Sequence, residues 1–106
     1  MDEPSAFDRD VYAVVAEIPF GRVMSYSDVA AALGSRSARG VGRAMARSEG
    51  LAWWRVIRAS GLPPEGHEVE ALEHYKAEGT PLRWSRDGTT YRVDLAEAAW
   101  FPPPGP

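Results

Sequence analysis

The chain has 106 residues, 44% of them hydrophobic and 25% charged, with a net charge of −3 and no cysteine. That balance suits one folded domain with one core and excludes a disordered chain, a disulfide or zinc-thiolate and thiol chemistry. No apolar run reaches the ~20 residues of a membrane span, and the acidic N-terminus (Asp2, Glu3) lacks a signal-peptide pattern, so a cytoplasmic location is expected.

The charge is unevenly divided. Residues 1–21 carry −4, residues 22–58 carry +5, and residues 59–106 carry −4. A basic middle between acidic ends concentrates positive potential where a polyanion could bind.

Phe7, Val11, Val14, Val15 and Ile18 recur at helical spacing, which predicts an amphipathic helix over ~7–17. Ser5 is its natural N-cap, and Pro19-Phe20-Gly21 ends it in a turn. Val23 and Met24 are expected to be briefly extended. Ser25 and Asp28 then form a capping-box pattern ahead of a short helix whose buried face is Val29, Ala30 and Leu33, and Gly34 stops it.

Ser35 or Ser37 can cap the next helix, expected over ~37–48. Val41, Ala44 and Met45 form its apolar side, while Arg36, Arg39, Arg43 and Arg47 recur at spacings of three and four as a basic stripe. Two short capped helices around Gly34 read as a helix-turn-helix with the arginine-bearing helix as the recognition element. A solvated surface helix is the plain alternative.

Trp53 to Ile57 is a short apolar run that suits a buried strand, and residues 61–66 read as a loop. Glu68 to Glu78 is expected to be helical, with Val69, Leu72 and Tyr75 inward and Gly79 and Pro81 ending it. His74 on that helix is expected to be exposed. The segments LRWS and TTYRVDL flank Arg86-Asp87-Gly88, a hairpin signal because Asp-Gly suits a tight turn. The expected fold is therefore α+β and mostly helical, a winged-helix-like DNA-binding domain over residues 1–101 with a C-terminal β-hairpin. A flexible proline-rich tail follows at 102–106.

The blocks VYAVVAEIPFGRVMSYSDVAAALG, SARGVGRAMARSEG and LAWWRV together resemble the DNA-binding domain of the O6-alkylguanine-DNA alkyltransferases. In that family the last block is usually Pro-Cys-His-Arg-Val, and its cysteine accepts the alkyl group. Here the place reads Ala52-Trp53-Trp54-Arg55-Val56. Tryptophan at the cysteine position resembles the alkyltransferase-like proteins, which bind alkylated guanine without repairing it and pass it to nucleotide excision repair.

The resemblance implies a set of roles. Tyr26 would help swing the nucleotide out of the duplex, and Arg39 would be the finger that enters the stack, which suits a planar, permanently charged guanidinium. Ser37, Gly40, Arg43 and Arg47 would join Tyr26 and Arg39 on DNA, with Gly40 and Gly42 permitting close approach. Tyr26, Trp53, Trp54, Arg55, Val56 and Ser60 would form the base pocket, Val56 through its backbone, with Arg55 also bracing the fold. Glu78 stands where a family glutamate orients the histidine that is here Trp54, so that relay is expected to be broken.

The implied partners are double-stranded DNA containing O6-alkylguanine and nucleotide excision repair proteins. No cofactor, metal, catalytic residue or membrane is implied, and a monomer is expected. A winged-helix regulator of undamaged DNA is the alternative, and a damage preference separates the two. His67, Glu65 and Glu68 in one loop region raise a weaker third reading, a hydrolytic site.

Overall fold

The computed structural model describes residues 4–104. Helix α1 (Ala6–Glu17) is followed by β1 (Met24–Ser25), α2 (Tyr26–Ala32) and α3 (Ala38–Ala46). After a 3₁₀ turn at Trp53–Arg55 come β2 (Val56–Ile57), α4 (Glu68–Glu78), β3 (Leu82–Trp84), β4 (Tyr91–Val93) and the short α5 (Leu95–Ala98). The fold is α+β, five helices with two small sheets.

Local chemistry sets the helix starts. Ser5, Ser25 and Ser37 each cap a helix by accepting a backbone N–H three residues on, from Asp8, Asp28 and Gly40. Only the Ser25 half of the expected capping box forms, since the Asp28 side chain makes no bond back. Gly34, at φ +71°, ends α2 in the left-handed region that favours glycine. The turn between α2 and α3 is thus defined on both sides, as a helix-turn-helix requires.

Two apolar clusters make up the core. One joins α1, α2 and α3 through residues such as Val11, Val15, Val29 and Val41, and the other joins α4, α5 and the hairpin through Ala71, Tyr75, Val93 and Ala98. The parallel β1–β2 pair lies between them, with Met24 opposite Val56 and Ser25 opposite Ile57. Strand alternation sends Met24 and Val56 into the first cluster and Val23 and Ile57 into the second. Residues 98–100 complete this seam, because Val23 N–H donates to the Ala98 carbonyl and Trp100 N–H to the Val23 carbonyl.

Several expectations need correction. The Trp53–Ile57 strand is only Val56–Ile57 long, because residues 53–55 coil into the 3₁₀ turn that points the two tryptophans in different directions. Val69 is 79% exposed and Leu72 only half-buried; Tyr75 is buried as expected, and Ala71 joins it on the buried face of α4. His74 is not free in solvent, since its ring stacks on Trp54 at 3.6 Å. Residues 85–90 join the strands rather than a two-residue Asp-Gly loop, although Gly88 N–H does donate to the Ser85 carbonyl at 2.9 Å in a turn through Asp87-Gly88. There Asp87 accepts from Ser85 Oγ, Thr89 Oγ1 and Thr89 N–H, which holds its carboxyl at about 2. Helix α5 was not expected at all; Asp94 caps it by accepting from Ala96 N–H. Of the proline-rich tail, residues 105 and 106 lie outside the described residues, and 102–104 have no regular secondary structure.

Candidate nucleic-acid interface

Helix α3 divides into a packed and an open side. Val41, Ala44 and Met45 are buried, and Tyr12 on α1 ties the helix down by donating from its hydroxyl to the Ala44 carbonyl at 2.7 Å. Arg36, Arg39 and Arg43 are exposed, and among the described residues none of the three is in an ion pair. Arg47 differs. Its Nη2 lies 2.8 Å from Oδ1 of Asp8, its Nε 3.2 Å from Oδ2, and Asp8 is buried. Hydrogen bonding from Arg47 holds the Asp8 carboxyl below its usual value. The fourth member of the basic stripe therefore pins α3 to α1 instead of standing free.

The glycines divide in the same way. A Cβ on Gly40 would stand 2.7 Å from Ser37 Oγ and 3.2 Å from Phe7 Cε2, so Gly40 is required by the cap and by the packing of α1 on α3. That is a correction: its close neighbours are protein, and it is buried. Gly42 has open space before it and faces a cleft.

That cleft, of about 320 Å³, lies at the foot of α3. Gly42, Met45, Ala46 and Ser48 form one wall, Tyr26 and Trp53 form another, and Pro64, His67 and Glu70 complete it. Trp53 is half-buried and packs against both core clusters, so part of its indole supports the fold and part faces the opening. Its ring meets His67 at 5.4 Å and His74 at 5.7 Å. Tyr26, at the first residue of α2, is half-buried, and burial raises its phenol, with the Arg58 charge opposing. It remains an O–H donor at neutral pH.

Of the six residues expected around a base, Tyr26 and Trp53 line this cleft; the other four do not. Trp54 turns away and donates its indole N–H to Glu78 Oε2 at 2.8 Å. Arg55 is buried and grips the same carboxylate, Nε to Oε1 at 3.1 Å and Nη2 to Oε2 at 2.7 Å, while Nη1 donates to the Ile18 carbonyl. Val56 has no exposed surface, and its N–H donates to the Trp53 carbonyl within the turn. Ser60 lies at the opposite end of the following loop, where its carbonyl accepts from Arg92.

Glu78 also accepts from Gly21 N–H, and Tyr75 donates to the Trp54 carbonyl at 2.7 Å. Burial acts to raise the Glu78 carboxyl, but donors from Arg55, Gly21 and Trp54 outweigh it and hold it low. The relay to residue 54 is thus filled by an indole donor, which cannot accept or carry a proton as an imidazole can.

Sequence reasoning missed Met45, Ala46, Ser48, Pro64 and Glu70 as cleft residues. The signal was present for two of them, because Gly42, Met45 and Ala46 share a helix face by spacing alone. The His67, Glu65 and Glu68 grouping does not assemble as a catalytic set. Glu68 Oε2 accepts from Gly66 N–H and lies 3.6 Å from Arg58, while His67 faces Glu70 at 3.9 Å. Among the described residues no group of His, Cys, Asp or Glu could hold a metal, and no helix is long and apolar enough to cross a membrane.

Fold and site together define a helix-turn-helix domain with a hairpin wing and a solvent-open aromatic cleft beside its basic helix. The sequence matches the DNA binding domain of 6-O-methylguanine DNA methyltransferase over residues 6–79, and the chain belongs to that family. It is 33% identical to alkyltransferase-like protein 1 of Schizosaccharomyces pombe, over 96% of this chain and 98% of that protein. It is also 43% identical over 65 residues to the DNA base-flipping protein of Escherichia coli, matching 58% of this chain and 50% of that one.

Among solved structures it superposes on Schizosaccharomyces pombe Atl1 bound to damaged DNA containing O6-carboxymethylguanine. The TM-score is 0.80 at 31% identity, over 96% of this chain and 100% of that one. An O6-methylguanine methyltransferase variant of Mycobacterium tuberculosis gives 0.63 at 25% identity, over 80% of this chain and 55% of that one.

Proposed function

We propose that the protein is a non-catalytic reader of O6-alkylguanine in duplex DNA. It binds the minor groove with α3, turns the modified nucleotide out of the stack and holds the base in the cleft between Tyr26 and Trp53. Arg39, exposed and unpaired in the first turn of α3, enters the space the base leaves, and Arg43 and Arg36 neutralise phosphates. Tyr26 crowds the phosphate of the extruded nucleotide and contacts the base. The reader then marks the lesion for nucleotide excision repair, acting as a cytoplasmic monomer without cofactor.

One observation carries this reading. Where the family's nucleophile would stand, Trp53 presents an aromatic face to an open cleft of about 320 Å³. An indole offers apolar contact to a base or alkyl group and cannot attack an alkyl carbon. With no cysteine anywhere in the chain, no alkyl group is transferred. The relatives described as a base-flipping protein and as bound to O6-carboxymethylguanine DNA support the same reading.

The test is a titration of two duplexes differing only in guanine or O6-methylguanine. A clear preference for the lesion, with no methyl group appearing on the protein by mass spectrometry, is expected. Equal affinity for the two would favour the regulator of undamaged DNA, for which the three free arginines of the α3 region would suffice.

A further inference from the structure

The hairpin wing carries a feature that damage reading does not use. The β3–β4 register sets Arg83 directly opposite Arg92, and both are exposed. Residues directly opposite in an antiparallel pair share a face, and like charges there are destabilising. The cost falls on a two-stranded sheet, the weakest kind. Among the described residues neither arginine is in an ion pair.

Arg92 is nevertheless oriented, since Nη1 donates to the Ser60 carbonyl at 3.0 Å. Both arginines stand at a groove of about 730 Å³ whose lining is largely apolar, with Leu62, Trp84 and Leu95 beside Ser60, Ser85 and Thr90, so the two guanidinium groups are its cationic edge. Asp94 lies on the same groove, but its Oδ1 is engaged in capping α5.

We propose that the Arg83–Arg92 pair is a second phosphate site, which grips the DNA backbone outside the base cleft. Two guanidinium groups on one face match the oxygens of a phosphodiester, and a phosphate between them would relieve their repulsion. The wing is also bonded to the loop that walls the cleft. Arg92 is fixed on Ser60, and Tyr91 donates its hydroxyl to the Glu68 carbonyl, while Pro64 and His67 between them line the cleft. A duplex held at the cleft thus has the wing one loop away. The inference goes beyond the reading of alkylated guanine and requires only that the chain binds duplex DNA.

The experiment compares the whole protein with the double variant Arg83→Gln/Arg92→Gln on an undamaged duplex across a salt series. Each phosphate contact contributes roughly 0.9 to the slope of log K against log salt. The slope should become shallower by about one to two units, while the thermal midpoint changes little, because relief of the repulsion offsets loss of the Arg92–Ser60 bond. The double lysine variant should keep the slope. A slope equal to wild type, with the variant folded, overturns the proposal even if the pair proves to bind an acidic protein. Failure of the lesion-reading account shows elsewhere, as equal wild-type affinity for guanine and O6-methylguanine, and would leave the slope result standing.

Discussion

Trp53 and Trp54 are neighbours in sequence and belong to different regions of the molecule. Trp54 is half-buried like Trp53, but its polar groups are all engaged: its N–H bonds Glu78, its ring stacks on His74 and its carbonyl receives Tyr75. Trp53, turned by the 3₁₀ geometry, reaches the cleft with part of its ring in the open. The contrast extends to the charges. In the Glu78 region every strong donor has a partner, whereas Arg36, Arg39 and Arg43 have none among the described residues. Buried polar groups satisfied by one another stabilise and position a fold, while exposed unpaired cations are available to a ligand. The closed region holds the turn that aims Trp53, and the open region receives the DNA.

The largest effect expected is at the closed region. Glu78→Ala leaves Arg55 buried without its partner and removes acceptors from Trp54 and Gly21, so unfolding free energy should fall by roughly 3–5 kcal/mol. Denaturant titration checks this, and a loss within the range of a surface ion pair would dissolve the distinction between the regions. Trp54→Phe, which keeps an aromatic face but loses part of the indole and one donor to a charged acceptor, should cost at least about 1.5–3 kcal/mol.

On the open side the effects should appear in binding with little change in melting. Arg39→Ala should reduce the fluorescence change of a 2-aminopurine reporter of flipping, because nothing then fills the stack. Arg43→Ala should weaken damaged and normal duplexes alike and lower the salt slope by roughly one unit. Arg47 tests the comparison from within one stripe. Because Asp8 already holds it, Arg47→Ala should lower the melting temperature and leave the salt slope nearer wild type than Arg43→Ala does. The reverse order would mean that Arg47 leaves Asp8 to meet phosphate.

A smaller effect follows from acidity. Asp8 and Glu78 are held below their ordinary values of 3.8 and 4.5, so the fold favours their ionised forms. The stability they contribute is complete above about pH 4.5 and is lost as pH falls through the lowered values. Unfolding midpoints should be level from neutral pH down to that point and then drop. Glu78→Gln should flatten the acid limb, and an unchanged limb would assign acid sensitivity to other carboxylates.

Much of this was legible in the residues. Serine caps at 5, 25 and 37 and the stop at Gly34 follow from local backbone bonding, so the helix-turn-helix could be read directly. The cleft was half legible. Tyr26 and Trp53 were found through the family blocks, but which way two adjacent tryptophans point depends on a 3₁₀ turn set by Glu78, Tyr75 and Arg55, all distant or buried. The ion pair of Arg47 was hidden for the same reason, since its partner Asp8 is 39 residues away. Helix spacing shows which residues share a face and says nothing of what another helix brings to it. Val69 was misjudged because α4 lies on the core through small Ala71 and long Tyr75, a narrow contact that apolar periodicity overstates.

Trp53→Ala, measured for both stability and damage preference, decides whether Trp53 belongs to the open region. Placement in the open region predicts a smaller loss of melting temperature than Trp54→Ala causes. It also predicts a loss of roughly 1–3 kcal/mol of affinity for O6-methylguanine duplex, the scale of stacking one base on an aromatic ring, with undamaged duplex changed far less. Trp53→Phe keeps a testable protein if the alanine variant does not fold, and should retain part of the preference. If either variant keeps the full wild-type preference in its folded fraction while melting collapses, Trp53 is core and the cleft does not read the base.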